Sequence, residues 1–539
     1  GACAAMELAT QGARKLLDRS QPKDVLVHHL GTIASQGEAQ AAEDGSAPSV
    51  AALLSHPEPE VVCAALDALA CLGQEGVWYA DSVEPLLGVP TRSIRCAAAT
   101  TLGQFGSHAS QHAGKLEACI TDQAEEVRAA AVVALAQVGA DGRAQKFAEL
   151  TKDQSPVVAA AACQAIGMLG MQGEAHAGAI AAKLGDPRVR YAAVSGLSGL
   201  SGAAVPFAMQ VVDQCLTDAD SQTRQTAALL LGEMGDAASA KIADSIARLL
   251  QDQRVGVRST AALALGHMKD LGLPHAAAVA SLLEDPAEDT SELHLRIGGG
   301  VPRIDPSLRR PRCAALIALG LMGAETFASE CAALLGDDSY EVRLCALECL
   351  SCFGDAGRAR STDIAALFDD NVYVVRVKAC EVVGSLKAED AMPNLLEVLQ
   401  DTAPSVRSAA LYALADCPQV AESFANEVMQ CVSDDVPDVR VAAIYLLGCF
   451  DQVGQHYAGV IGAGLGDEDE GVQAAACEAL GRLGKYGSAF ESEISGLMQS
   501  GSPSVSNAAY AAMEQIGDYA SSAPKVNMEM LENDRGEGE

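Results

Sequence analysis

The segment from Asp122 to Gly139, DQAEEVRAAAVVALAQVG, opens on polar positions and then turns apolar with a helical period. The same register returns in DADSQTRQTAALLLGEMG from Asp218, DTAPSVRSAALYALADCP from Asp401 and DDVPDVRVAAIYLLGCFD from Asp434. Each has an Asp, an Arg six residues later that usually follows Val, and then an Ala-rich stretch. Its apolar positions recur every three or four residues, which predicts a helix with one buried stripe. Gly often falls eight residues after the Arg, and sometimes again at eleven.

Aligned on the Arg, the anchors are Val62, Arg95, Arg128, Ala159, Arg190, Arg224, Arg258, Arg312, Arg343, Arg376, Arg407, Arg440, Gln473 and Ser506. They stand 31 to 34 residues apart, save one interval of 54. A second apolar helical stretch precedes each turn, as in HAGKLEACI, ADSIARLL, MPNLLEVL and YAGVIGAGL. One unit is therefore helix, turn, helix and link. Neither helix can bury its stripe alone, so neighbouring units must stack and share a core. An irregular capping unit is expected over 1–44, with helices near 4–17 and 25–36, giving about 15 helix pairs.

Turn residues Asp122, Asp218, Asp252, Asp337, Asp370, Asp401 and Asp434 are placed to cap amides at the next helix start. Arg128, Arg224, Arg258, Arg343, Arg376, Arg407 and Arg440, one turn into that helix, are placed to meet the Asp or a carbonyl of a neighbouring unit. Repeated along the stack, these contacts form a ladder that fixes the rotation between units. Glycines such as Gly103, Gly232, Gly320, Gly448 and Gly481 let helices approach closely.

The recurring DxxxxVRxxAxxALGxLG pattern resembles a HEAT repeat in its short, lyase-like form, over roughly residues 45–520. The resemblance implies an all-α fold, a right-handed α-α superhelix or solenoid, with the second helix of each pair on the concave face and the turns along one edge. It implies binding more than chemistry: a non-enzymatic scaffold or adaptor for protein partners. A nuclear-transport-like or tubulin- or axoneme-binding array is the alternative within binding. A HEAT-like lyase or metal-dependent enzyme is the alternative of a different class. Deoxyhypusine hydroxylase, an enzyme with this repeat, holds two irons through His-Glu dipeptides, and none of the ten histidines here precedes a Glu. No catalytic residue, metal ligand or cofactor is assigned.

Charge narrows the partner. There are 71 Asp and Glu against 37 Lys and Arg, a formal net charge of −34. Such a surface repels phosphate backbones, which disfavours nucleic acid and suits a basic protein. No run of about 18 apolar residues suggests a membrane span. The opening GACAAMELATQ lacks an initiating Met and reads as a processed or truncated start, so organelle import stays open. Seventeen scattered cysteines fit buried apolar groups in a reducing, intracellular and cytoplasmic setting. The chain is expected to be a monomer or a subunit of a larger complex.

Three of those cysteines, Cys345, Cys349 and Cys352, have the spacing by which radical enzymes hold an iron–sulfur cluster. They follow an anchor within a helix rather than on a loop, which favours a packed helix face. His108 and His112 share a face at i, i+4 but lack the Glu of a zinc-protease motif. His28 and His29 are adjacent and should point apart.

Two features depart from the repeat. The long interval marks an inserted loop at 284–311, whose second half carries Arg296, Arg303, Arg309 and Arg310. It separates repeats at 45–283 from repeats at 312–520, and an acidic, disordered tail is expected at 521–539. The later turns carry acids beyond the capping Asp: Asp338, Asp369, Asp435, Asp438, Glu468, Asp469 and Glu470. The Arg-rich loop and these acids are the candidate partner-binding residues.

Overall fold

The computed structural model describes residues 17–44, 46–139, 142–288, 309–450 and 454–522. Every regular element among them is a helix. The fourteen anchors lie on fourteen helices: α1 (Pro59–Cys71), α2 (Arg92–Gln104), α3 (Glu125–Gln137), α4 (Pro156–Met168), α5 (Arg190–Ser198), α6 (Ser221–Glu233), α7 (Val255–His267), α8 (Pro311–Met322), α9 (Tyr340–Ser351), α10 (Tyr373–Ser385), α11 (Pro404–Ala415), α12 (Pro437–Leu447), α13 (Glu470–Arg482) and α14 (Pro503–Ser522). The fold class is the all-α solenoid of stacked helix pairs.

Both ends of these helices are written locally. Pro occupies the first turn of α1, α4, α11 and α12, where its missing N–H costs no hydrogen bond. In most repeats the residue eleven after the anchor adopts positive φ, as at Gly73 (52°), Gly106 (58°) and Gly354 (52°), and this left-handed residue ends the helix. Lys269 and Lys387 hold the same position at φ 45° and 49°.

The glycine eight after an anchor faces the alanine six after the next one. A Cβ at Gly103 would lie 2.8 Å from Ala134 Cα, and one at Gly448 would lie 2.6 Å from Ala479 Cβ. Small residues thus bring successive anchor helices together, over a core of residues such as Val127, Leu135, Val158, Ile166, Leu347 and Leu447, all 0% exposed.

The first helices of the pairs are less regular than their apolar pattern predicts. A 3₁₀ turn, Gly106–His112, leads into the short helix Ala113–Cys119, and the helix Ala240–Ala247 tightens into 3₁₀ at Arg248–Gln251. The tightening lets a short helix reach the next turn after the left-handed reversal. At the start of the chain the helix expected near 25–36 runs Lys23–Asp44. Residues 1–16, the centre of the inserted loop and the acidic tail from 523 lie outside the described residues, and 521–522, expected in that tail, close α14.

The chain forms two compact units, one of residues 1–278 with 286–314, the other of 279–285 with 315–539. The first holds α1 to α7, and the second holds most of α8 and all of α9 to α14. Among the described residues no helix is long and apolar enough to cross a membrane.

Candidate partner-binding surface

The turns are joined by a repeated polar clamp. In α9, Arg343 Nε and Nη2 donate to Asp370 Oδ2 and Oδ1 at 2.7 and 2.8 Å, while Nη1 donates to Asp337 O at 2.8 Å. Asp370 belongs to the turn of the next repeat and Asp337 to the turn of Arg343's own. The same arrangement links Arg95 to Asp122, Arg128 to Asp153, Arg190 to Asp218, Arg224 to Asp252, Arg376 to Asp401, Arg407 to Asp434 and Arg440 to Asp467. Arg258 makes the carbonyl contact to Asp252 at 2.8 Å, and Gln473 makes it to Asp467 at 2.7 Å.

This differs in register from the sequence expectation. An Arg bonds the backbone oxygen of the residue six before it, usually an Asp, and the carboxylate of the Asp one repeat later. The reason is local. Each turn carboxylate already accepts the amide two residues on, as Asp122 Oδ1 does from Ala124 N at 2.8 Å and Asp434 Oδ1 from Val436 N at 2.9 Å. That bond closes the turn and aims the carboxylate toward the preceding repeat. Asp153, Arg95 and Arg190 join the ladder, although the sequence reading left them outside it. Caps at helix starts come from other side chains: Ser155 on α4, Asp220 on α6 and Asp469 on α13.

Charge-assisted bonds stabilise the ionised carboxylates. The hydrogen bond from Arg95 holds Asp122 below the usual carboxylate range, and that from Arg440 does the same for Asp467. At Asp401 and Asp434 burial pushes the other way, yet the Arg and amide bonds prevail. The joint that follows α4 lacks the clamp. Ala159 replaces the Arg in α4, and Asp186 in the following turn pairs with Arg188 of that same turn at 2.9 Å.

The acids beyond the ladder divide into two groups. Asp469 is a cap, accepting Gly471 N and Val472 N at 2.9 and 3.2 Å. Asp338, Asp369, Asp435, Asp438, Glu468 and Glu470 are exposed along the turn edge of the second unit. Between two of these turns an opening of about 670 Å³ is lined by Asp369, Asn394, Glu397 and Asp401. Of the loop arginines, Arg309 is exposed and Arg310 pairs with Glu288 at 3.0 Å. Arg296 and Arg303 lie outside the described residues.

A second surface was missed by the sequence reading. The position five after the anchor holds Glu348, Glu381, Tyr412, Tyr445 and Glu478 on α9 to α13, where Tyr445 is half-buried and the others are exposed. The Tyr412 and Tyr445 rings lie 5.8 Å apart, tilted by 55°. Arg482 stacks on Tyr445 with its guanidinium carbon 4.6 Å from the ring centroid. Reading every position against the anchor, rather than the Asp and Arg alone, would have exposed this row.

The cysteine triplet lies on α9 and its C-cap. Cys349 is buried with its Sγ 3.6 Å from Cys331 Sγ, Cys345 is half-buried and Cys352 is exposed. The contact with Cys331 and burial push the Cys349 thiol up, away from the thiolate a cluster ligand must supply. Sixteen cysteines are described, and all are unbridged. His108 and His112 sit in a 3₁₀ turn, and His112 Nε2 meets Asp81 at 3.3 Å. The His28 and His29 rings meet edge to face at 5.6 Å rather than pointing apart. Among the described residues no three His, Cys, Asp or Glu are grouped as metal ligands.

Comparison with known proteins agrees with this architecture. A family model of HEAT repeats matches residues 80–167, 208–293 and 361–448. No curated protein matches the chain. Among solved structures, importin beta crystallised in ammonium sulfate is 15% identical, with TM-score 0.61 over 97% of this chain and 80% of that one. The karyopherin Kap121p bound to the extreme C-terminus of the phosphatase Cdc14p is 13% identical, with TM-score 0.56 over 95% of this chain and 66% of that one. Kap121p bound to Pho4p is 12% identical, with TM-score 0.54 over 97% and 72%. At such identity the likeness is one of fold. With the repeat in the sequence, the paired helices and the family model in agreement, the chain is a HEAT-repeat protein.

Proposed function

We propose that this protein is a non-enzymatic, intracellular and cytoplasmic adaptor that captures basic segments of partner proteins. One observation carries the reading. Asp338, Asp369, Asp435, Asp438, Glu468 and Glu470 recur at the turn edge, are exposed, and their carboxylates form no ion pair among the described residues. Ladder carboxylates beside them are neutralised by Arg, so the field of the edge comes from acids with no part in the fold. Charges held in a row on a rigid stack steer a basic partner, and salt screens that attraction. The inserted loop at 284–311 is a second contact on this reading. Kap121p, similar in fold, is named with bound protein segments, which favours protein partners over nucleic acid. A transport-receptor reading rests on that fold likeness and gains nothing over the broader one.

The test is capture by the immobilised full chain at about 50 and 300 mM salt, near Debye lengths of about 14 and 6 Å. Basic proteins should co-purify at low salt and fall away at high salt. A sextuple Asp/Glu→Asn/Gln variant at the six positions should lose them while keeping its helical content. Capture that ignores both salt and the variant refutes the acidic-edge reading. Deleting 286–308 should weaken capture and leave melting nearly unchanged if the loop takes part.

A further inference from the structure

The outward row of the second unit contains an incomplete copy of an arginine site. Over Tyr445 the chain's own Arg482 sets its guanidinium carbon 4.6 Å from the ring centroid and reaches Glu478 at 3.8 Å. This is the combination of aromatic face and carboxylate that suits a planar guanidinium. One repeat earlier stands Tyr412, 46% exposed, on which no cation among the described residues stacks. A depression of about 390 Å³ beside it is lined by Glu381, Ser405, Ser408 and Asp416. Burial, and after it the charge of Asp438, pushes the Tyr412 hydroxyl up, so the ring stays neutral. Glu381 pairs with Lys378 at 3.3 Å, whereas Asp416 and Asp438 form no ion pair with a described residue.

We infer that the depression beside Tyr412 receives an arginine side chain from an extended basic segment of a partner protein, stacked on Tyr412 and bonded to Asp416. The inference rests on the adaptor reading and names its specificity. Arginine is chosen over lysine because the ring offers a face for a plane, and the carboxylates and serine hydroxyls offer several acceptors to its five donors. An ammonium gains the charge attraction but not the stacking. Nucleic acid and acidic segments are repelled by the same carboxylates.

The experiment measures binding of fluorescent Arg–Ser and Lys–Ser repeat peptides of equal length to the full chain by anisotropy. The Arg peptide should bind about tenfold more tightly, a ratio that one stacked guanidinium can supply. Tyr412→Leu should reduce that ratio to near one, and Tyr412→Phe should retain it. Asp416→Asn should weaken both peptides about threefold and flatten the salt dependence. Equal binding of the two peptides, or an unchanged ratio in Tyr412→Leu with wild-type circular dichroism, overturns the site. So does a dimer, seen by light scattering, that Tyr412→Leu dissolves, because the face then belongs to a second copy. Failure of the site leaves the adaptor reading intact if capture by the acidic edge persists. Loss of capture together with a persistent Arg preference would remove the adaptor reading and leave the site.

Discussion

The Arg343–Asp370 clamp is the most deeply placed of the ladder, its side chains 8% and 6% exposed. Replacing Arg343 with Met keeps most of the stem's packing and removes both charged bonds and the contact to Asp337 O. Asp370 retains the amide of Val372 at 2.8 Å but loses its counter-charge in a site closed to water. Breaking a buried pair from one side costs about 3–5 kcal/mol, mostly for the stranded carboxylate. Asp370→Asn leaves Arg343 its carbonyl acceptor and a weaker partner, so about 1–3 kcal/mol is expected. The double variant should cost less than the two single costs together, with a coupling of about 2 kcal/mol. Urea titration followed by circular dichroism, fitted repeat by repeat, gives these values. Hydrogen exchange should place the loss in α9 and α10. A coupling under about 0.5 kcal/mol would mean that the clamp behaves as an exposed ion pair and that apolar packing alone sets the joint.

Other outcomes follow from the same geometry. Gly448→Ala should destabilise by about 1–3 kcal/mol, since its Cβ meets Ala479 at 2.6 Å, whereas Gly459→Ala, with nothing within 4 Å, should stabilise by about 0.5–1 kcal/mol; melting temperatures distinguish them. Asp122 and Asp467 titrate lower when folded than unfolded. Their contribution is therefore complete above the unfolded pKa near 3.9 and is lost as pH falls through the folded value. Urea midpoints should drop between about pH 5 and pH 3, and Asp122→Asn should shrink that drop. Burial pushes Cys163, Cys215 and Cys380 up to about 12. A thiol reagent at about pH 8 should label exposed Cys71 and Cys352 first and reach those three only on unfolding.

The repeat was legible because its signals are local. An Asp–Arg pair six residues apart, an alanine stripe and a left-handed glycine at offset eleven are written within one turn and one helix. What escaped depends on the neighbouring repeat. Sequence places Asp122 and Arg128 six residues apart, which suggests a pair. Only the packing shows that Arg128 reaches on to Asp153 while Asp122 answers back to Arg95. The broken first helices escaped for a related reason, since the 3₁₀ tightening is imposed by the span between turns rather than by propensity. In the acidic turns, Asp469 is indistinguishable in sequence from Glu468 and Glu470, and its capping bonds alone set it apart. Tyr412 and Tyr445 read as apolar stripe until the structure leaves Tyr412 exposed and Tyr445 half-buried at offset five.

The clampless joint between α4 and α5 is held by contact of backbone on backbone. A Cβ at Gly196 would stand 2.3 Å from Cys163 O, one at Gly167 2.5 Å from Gly196 O, and one at Gly199 2.5 Å from Gly167 O. No rotamer can relieve such a collision, so a single methyl at Gly196 acts as a wedge of about 1 Å against ordinary carbon–oxygen separation. Helix α5 is nine residues long, about 13 Å at 1.5 Å per residue. The wedge therefore tilts the following repeat by about 4°, and α6 and α7 inherit the swing. Where the Arg–Asp joints yield to acid, this one yields only to bulk, which makes it a fulcrum within its unit.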